Sequence, residues 1–188
     1  LTVRADQLHP ALRSLCANKS PTIVTMVNSP EPYEAWESLC GQGRILPAFP
    51  GAGGGFSGSI LDAALTPRLL QPTVFGEIGG LKTERSRRLE SLFRKAGISC
   101  RIVPDMHAWQ LCHLALVIPL ANAYYQTAGA PCEVWRDKSE MRRTAEALCR
   151  NFRALSRAGC AITPHKLRLF LRCPAALPAA VLPFVYRS

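Results

Sequence analysis

Few side chains in this sequence combine a reactive group with an unusual position, and His113 is the first of them. It lies in a strongly apolar segment one turn after Trp109, where an imidazole must find a hydrogen-bond partner or stay neutral. One interpretation is that His113 acts as an acid or a base. The other is that it is a structural histidine whose ring nitrogens are hydrogen-bonded within the hydrophobic core. No serine or cysteine stands at a recognisable nucleophile spacing from any histidine, which argues against catalytic-triad chemistry.

Asn28 is the second candidate, because it directly follows an apolar run at 22–27 that predicts a buried strand. Open α/β sheets bind their ligands at the edge where strands end, so the Asn28 amide is placed to contact a ligand. The alternative is a purely structural role, since Asn-Ser-Pro at 28–30 is ordinary turn chemistry.

A glycine-rich segment at 53–58 has the spacing G-x-G-x-x-G after a predicted strand, with Glu77 nineteen residues beyond. This spacing is the same as that of the glycine motif that binds dinucleotides in Rossmann folds. Only about eight residues separate it from Pro67, too few for the crossover helix whose N-terminus would face a pyrophosphate. The sequence therefore favours glycine-rich turns between strands.

The eight cysteines are spread along the chain, with no C-x-x-C pair and no tight Cys/His cluster. This distribution argues against a zinc site. Several cysteines occupy apolar positions of predicted helices or strands, where the thiol packs as a small hydrophobic group. We expect reduced thiols and a cytoplasmic location, with a disulfide framework as the alternative.

The formal charge of +10 attracts nucleotide cofactors, nucleic acids and anionic surfaces alike. No aromatic stacking platforms interleave with the basic side chains of the predicted helix at 136–157, and no nucleic-acid-binding signature accompanies them. The longest apolar run, 114–121, is far shorter than the roughly 20 residues of a membrane span. The sequence thus predicts neither a nucleic-acid nor a membrane partner.

Short β-rich runs alternate with helical ones in the first part of the chain, as in α/β domains. The patterns predict helices at 5–19, 31–39 and 83–96, and strands at 22–27, 44–49 and 98–103. Antiparallel strands are expected in the glycine- and proline-rich part, at 59–65, 68–70 and 73–77. On helix 83–96 the residues expected to face inward are Leu89, Leu92, Phe93 and Ala96.

The chain after Pro104 is predicted to be all helical. A helix at 106–127 is expected to begin after Asp105 as N-cap and to end before Gly129. This helix is apolar nearly all round, which suits the centre of a bundle or a homodimer interface. A second helix at 138–158 follows Asp137, and one or two short helices are expected in 160–188.

Four segments together resemble the ketopantoate reductase family. They are TIVTMVN at 22–28, TVFGEIGG at 73–80, LFRKAGI at 92–98 and DMHAWQLCHLALVIPL at 105–120. The resemblance implies that 1–103 is the C-terminal part of a Rossmann-like nucleotide-binding domain with added antiparallel strands. It implies that 104–188 is a helical domain for dimerisation and substrate binding, complete or truncated.

The resemblance also implies an NADP- or NAD-dependent reductase of a small 2-oxo acid or related carbonyl compound. Asn28 matches the family asparagine at the cofactor edge, but the position of the family's proton-donating lysine holds Leu111. Ala115 stands where the family has a second asparagine, and Ser29 replaces a glycine. His113, further along the same helix, is then the best substitute acid.

Two further expectations follow from the same comparison. The family begins with a βα unit carrying G-x-G-x-x-G, which would lie upstream of Leu1, so we expect these residues to form a fragment that is inactive alone. Loss of the lysine leaves open a different class of protein. A non-catalytic chain on the same fold would bind a nucleotide or dimerise without reducing a substrate.

Overall fold

The computed structural model describes residues 1–126 and 131–187, in two units, Leu1–Gln110 and Leu111–Ser188. The strands are β1 (Ile23–Met26), β2 (Ile45–Phe49), β3 (Ala52–Ser57), β4 (Ile60–Leu65), β5 (Thr73–Phe75) and β6 (Cys100–Ile102). The helices are α1 (Leu8–Ser14), α2 (Tyr33–Cys40), α3 (Glu84–Lys95), α4 (Met106–Gln126), α5 (Lys138–Arg157), α6 (Leu169–Arg172) and α7 (Ala176–Arg187). Short 3₁₀ turns occupy Ala5–Gln7, Pro131–Arg136 and His165–Arg168.

A mixed four-stranded sheet in the order β1-β2-β5-β6 is the centre of the first unit. β1 runs parallel to β2 with Ile23 opposite Ile45, and β5 runs antiparallel to β2 with Phe75 opposite Ala48. β6 then pairs parallel with β5. Most residues of β2 and all of β5 are buried, as strands in the middle of a sheet must be. The structure confirms the predicted α/β class with added antiparallel strands.

The glycine-rich segment 53–58 lies in a hairpin rather than in a phosphate-binding turn. β3 and β4 form a separate two-stranded sheet, with Ala52 opposite Leu65 and Ser57 opposite Ile60. A side chain at Gly54 would collide with the carbonyl oxygen of Asp62, so glycine is required for this pairing. The G-x-G-x-x-G spacing therefore has a structural origin in this chain.

Helix α1 is shorter than predicted, because it ends at Ser14 and not at residue 19. The guanidinium of Arg44 donates hydrogen bonds to the carbonyl oxygens of Leu15, Cys16 and Asn18. These bonds satisfy carbonyl groups near the end of the helix, where intrahelical partners are missing. Arg44, which is distant in sequence, thus supplies hydrogen-bond donors to the carbonyl groups that follow the last residue of α1.

Two expectations in the middle of the first unit were wrong. Residues 68–70 form a turn rather than a strand, with the Leu70 N–H donating to the carbonyl oxygen of Pro67 at 2.9 Å. On α3, Leu92 is 62% exposed and Ala96 is also exposed, although both were expected to face inward. α3 packs against β6, whose residues are themselves only half-buried or exposed, so half of its apolar stripe stays in water.

The described residues of the second unit form helices and connecting turns, which confirms the helical prediction. Asp137 accepts hydrogen bonds from the N–H groups of Ser139 and Glu140 and so caps α5, which ends at Arg157. The apolar stripe of α5 packs into two clusters with α4, α6 and α7. Their buried members are Cys112, Ala115, Ala123, Val134, Met141, Ala145, Leu148, Phe152, Ile162, Leu167 and Leu182.

The final helix α7 has twelve residues, with Pro183 inside it. It is longer than the short helices expected for this proline-rich part of the chain. Gly129, expected beyond the end of α4, lies outside the described residues. Within the described ranges, no helix has the length and apolarity that crossing a membrane requires.

Candidate functional site

The loop that follows β1, residues 27–32, presents Asn28 and is called the Asn28 loop here. The Asn28 side chain is exposed, whereas the neighbouring Ser29 is buried. Ser29 Oγ accepts a hydrogen bond from the Glu31 N–H at 3.2 Å, which fixes a tight turn just after Asn28. Asn28 is thus exposed just beyond the end of β1, and its role as a ligand contact stays a prediction.

Gln110 holds this loop from within the unit. Its amide nitrogen donates a hydrogen bond to the carbonyl oxygen of Val27, and its amide oxygen accepts one from the Tyr33 hydroxyl at 2.7 Å. Gln110 is only 1% exposed, so both bonds form away from water. Burial, together with the nearby charge of Asp105, raises the pKa of Tyr33, which keeps its hydroxyl protonated as the donor.

The far end of the Asn28 loop is anchored through Glu31. One of its carboxylate oxygens accepts a hydrogen bond from the Trp36 indole at 2.8 Å and lies 2.9 Å from His9 Nε2. The hydrogen bond from Trp36 and that from His9 lower the pKa of Glu31, so the carboxylate stays ionised. His107 Nε2 lies 3.1 Å from the carbonyl oxygen of Pro30 and must carry the proton there, because a carbonyl only accepts.

A small cavity of about 70 Å³ lies beside these anchors. Its lining residues are Tyr33, Glu34, Glu77, Ile78, Asp105, Met106 and His107. Asp105 also accepts a hydrogen bond from the Ala108 N–H at 2.8 Å, which caps α4 as the sequence predicted. No group of three or more His, Cys, Asp or Glu side chains placed to hold a metal ion occurs in the described part of the chain.

Glu77 gives the segment TVFGEIGG at 73–80 a structural role. Its carboxylate accepts hydrogen bonds from the Arg85 guanidinium, at 2.9 Å from Nε, and from the Thr83 hydroxyl. Burial alone would raise the pKa of Glu77, but the bonds from Arg85 and Thr83 outweigh it and lower that pKa. Arg85 also donates to the carbonyl oxygens of Gly43 and Ile45, which joins this turn to the start of β2.

His113 lies on α4 in the second unit and is 8% exposed. Burial lowers its pKa from 6.5 to about 4, so the imidazole is neutral at pH 7. A neutral imidazole is a poor proton reservoir, but it still has one N–H group that can donate a hydrogen bond. The structure places Asn28 in the first unit and His113 in the second, so neither unit contains both.

Leu111 and Ala115, the two positions on α4 at which this sequence departs from the ketopantoate reductase pattern, both lie in the second unit. Leu111 is half-buried, and Ala115 is 8% exposed within an apolar cluster. The Asn151 amide on α5 donates to the carbonyl oxygen of Ala115 at 3.3 Å. Sequence reasoning missed Asn151 and Gln110, although a polar residue within an otherwise apolar helix is a signal that singles out Gln110.

The chain has a detectable similarity to a solved structure but not to a family model or a curated protein. No protein-family model matches this chain, and no curated protein does. Among solved structures, a 2-dehydropantoate 2-reductase from Geobacter metallireducens GS-15 is similar, with 15% sequence identity and a TM-score of 0.49. The match covers 98% of this chain and 68% of the reductase chain.

Proposed function

We propose that this protein is an NAD(P)-dependent oxidoreductase of the ketopantoate reductase type, acting on a small 2-oxo acid or a related carbonyl compound. In this proposal residues 1–103 supply the later part of the nucleotide-binding domain. Residues 104–188 supply the helical domain that contributes to substrate binding and dimerisation. The proposal covers the natural protein that contains these 188 residues, and the chain alone is expected to be inactive.

The buried hydrogen bonds that anchor the Asn28 loop are the observation that carries the proposal. A surface loop needs no buried polar anchors to reverse the chain, since turns form from local bonds. Here Gln110 buries a whole amide, which is unfavourable unless both of its polar atoms are paired. Both are paired, and one of them holds the backbone next to Asn28. Such anchoring is expected where an exposed side chain must keep one position against a ligand.

The described residues fit one part of a dinucleotide site. Asn28 offers an amide donor and an acceptor at the end of β1, the edge where open α/β sheets bind cofactors. The glycine turn that would hold a pyrophosphate is absent from residues 1–126 and 131–187, because the candidate segment 53–58 lies in the β3–β4 hairpin. The bound nicotinamide cofactor would supply the hydride, and Asn28 would orient it.

His113 takes the role of the missing lysine in this proposal. Leu111 can neither donate a proton nor stabilise an oxyanion. The N–H of neutral His113 would donate a hydrogen bond and then its proton to the more basic alkoxide that develops as the ketone is reduced, and the imidazole would regain a proton from water. Glutamine can donate a hydrogen bond from its amide but cannot act as the acid, and a positioned general acid contributes roughly 10²–10⁴-fold to a rate, so His113→Gln should abolish most turnover.

A second candidate is a non-catalytic protein that binds the nucleotide without reducing a substrate. The low pKa of His113 favours it, because at pH 7 only about one molecule in a thousand carries the imidazolium. With Leu111 in the lysine position, no strong acid is then available on this part of α4. The two candidates make different predictions for a substrate panel.

The natural full-length protein tests both candidates. NADPH and NADH are titrated by fluorescence, and their oxidation is followed by absorbance with a panel of 2-oxo acids. The variants Asn28→Ala and His113→Gln are compared with the exposed matched controls Asn18→Ala and His165→Gln. Turnover lost only in the first two variants supports the reductase.

The other outcomes are equally informative. Tight cofactor binding without oxidation of NAD(P)H by any oxo acid favours the non-catalytic protein. Turnover that survives His113→Gln unchanged removes His113 from the mechanism. Absence of any binding to either dinucleotide overturns both candidates.

A further inference from the structure

Two buried thiols of the second unit lie against each other. Cys149, in the middle of α5, is 2% exposed, and Cys173, directly after α6, is 5% exposed. Cys149 Sγ lies 4.0 Å from the carbonyl oxygen of Cys173, and the two thiols are hydrogen-bonded to each other. Both cysteines are free thiols, and the proposed function uses neither of them. The pair thus places two sulfur atoms in direct contact within the helical unit.

The backbone around this pair is held in place by other contacts. Arg153 lies one turn after Cys149 on the same face of α5, and its guanidinium donates a hydrogen bond to the carbonyl oxygen of Cys173 at 3.2 Å. The rings of Phe152 on α5 and Phe170 on α6 stack with their centroids 5.1 Å apart. These contacts fix the end of α6 against α5, so the two thiols meet without a rearrangement of the backbone.

The fold selects a partner for Cys149 that chain separation would not select. In an unfolded chain Cys160, 11 residues further on, would meet Cys149 about three times as often as Cys173, which is 24 residues away. In the structure Cys160 follows the end of α5, where its N–H donates to the carbonyl oxygen of Leu155. Leu155 is six residues, or about 9 Å, along the helix from Cys149, which is farther than a disulfide spans.

We propose that Cys149 and Cys173 form a reversible disulfide when the protein reacts with hydrogen peroxide. One thiol is oxidised to a sulfenic acid, while the O–O bond breaks and a water leaves. The second thiol then attacks the sulfenic sulfur, so that the S–S bond forms, the S–O bond breaks and a second water leaves with the thiol proton. Two thiols thereby lose two electrons and two protons to one peroxide. A dithiol reductant restores both thiols by exchange.

The disulfide would join the middle of α5 to the segment between α6 and α7. It would close the loop 149–173 and so restrict the unfolded chain, which should raise the Tm by roughly 10 °C for a chain of this size. Burial raises the pKa of the Cys149 thiol, so its thiolate is scarce at neutral pH. We therefore expect the pair to react over hours rather than seconds. The proposal does not depend on cofactor binding or on catalysis.

Peptide mapping of the full chain tests the proposal directly. The reduced protein is incubated with hydrogen peroxide, its remaining thiols are alkylated, and it is digested with trypsin without reductant. Peptides 144–150 and 173–187 each contain a single cysteine, so the disulfide appears as these two peptides joined, with a mass two hydrogen atoms below their sum. The same oxidation in urea should instead join 144–150 mainly to 158–166, the peptide of Cys160.

Matched variants connect this disulfide to the change in stability. Cys149→Ala and Cys173→Ala should each lose the joined peptides and the rise in Tm on oxidation. Cys100→Ala, which removes a half-buried thiol of the first unit, should keep both. Dithiothreitol should return the oxidised parent chain to its reduced Tm.

The map of the parent chain decides the proposal even if a variant fails to fold. Absence of the joined peptides after oxidation of the folded chain overturns it. So does a folded chain in which Cys149 pairs mainly with Cys160, as it should in urea. A rise in Tm that persists in a folded Cys149→Ala variant would assign the stabilisation to other thiols and overturn the proposed clamp.

Discussion

The pH dependence of stability offers a sharp test of the surroundings of His113. Burial lowers its pKa from 6.5 to about 4, so the unfolded chain takes up a proton at a higher pH than the folded chain does. Acid therefore favours the unfolded state as the pH falls from 6.5 towards 4. Since a tenfold change in proton affinity corresponds to about 1.4 kcal/mol, this histidine removes about 3 kcal/mol of stability over that window.

The assay is urea unfolding at a series of pH values, followed by far-UV circular dichroism. His113→Gln has no titrating group at this position, so its free energy of unfolding lacks the His113 contribution. Between about pH 7.5 and 4.5, the parent chain should lose about 2.5 kcal/mol relative to the variant. Carboxylates that titrate in the same range are present in both proteins and cancel in this difference.

A matched control and a direct titration complete the test. His165→Gln removes an exposed histidine from the same unit, and its stability should follow that of the parent chain. An NMR titration should show the imidazole of His113 still neutral at pH 5.5. If the stability difference between the parent chain and His113→Gln stays constant from pH 7.5 to 4.5, His113 is not buried as a neutral group and the reasoning fails.

Three further substitutions test the contacts described above, each by urea unfolding. Glu77→Gln should destabilise the chain by about 3 kcal/mol because it leaves a half-buried guanidinium without its carboxylate, whereas Glu146→Gln, in an exposed ion pair, should change stability by less than about 0.5 kcal/mol. Equal effects of these two would contradict the burial argument. Tyr33→Phe leaves the buried amide oxygen of Gln110 without its donor and should destabilise by about 2 kcal/mol; no loss would mean that water replaces the hydroxyl. Asp137→Ala removes the cap of α5 and should lower stability by about 1 kcal/mol, unless another group caps the helix.

Local sequence patterns predicted those elements whose ends depend on nearby residues. α5 has an acidic N-cap at Asp137, an apolar stripe and Gly159 beyond its end, and its observed bounds agree with the prediction to within a residue. The end of α1 was missed because it depends on Arg44, which lies far along the chain and bonds to the carbonyl groups there. Nothing in the periodicity of residues 5–19 carries that information.

The same distinction applies to the candidate site. The exposed position of Asn28 after β1 could be predicted from the sequence, because a strand followed by a turn is a local signal, whereas its role as a ligand contact stays a prediction. The anchors of its loop were not found, because Gln110 and Tyr33 are 77 residues apart and meet only in the fold. At 53–58 the short distance to Pro67 favoured glycine-rich turns between strands over a dinucleotide motif, and the β3–β4 hairpin agrees with that interpretation.

The two units should respond to acid in different pH ranges. In the second unit, the contribution of His113 is lost as the pH falls from 6.5 towards 4. In the first unit, the lowered pKa values of Glu31 and Glu77 stabilise the fold above pH 4.5 and lose that effect only as the pH falls below it. Between pH 6 and 4.5, titration of His113 therefore lowers the stability of the second unit, whereas Glu31 and Glu77 do not yet lower that of the first. Hydrogen exchange resolved by peptides should then show faster exchange in α5 while β1 and β2 stay protected, and simultaneous loss of protection in both units would refute this order.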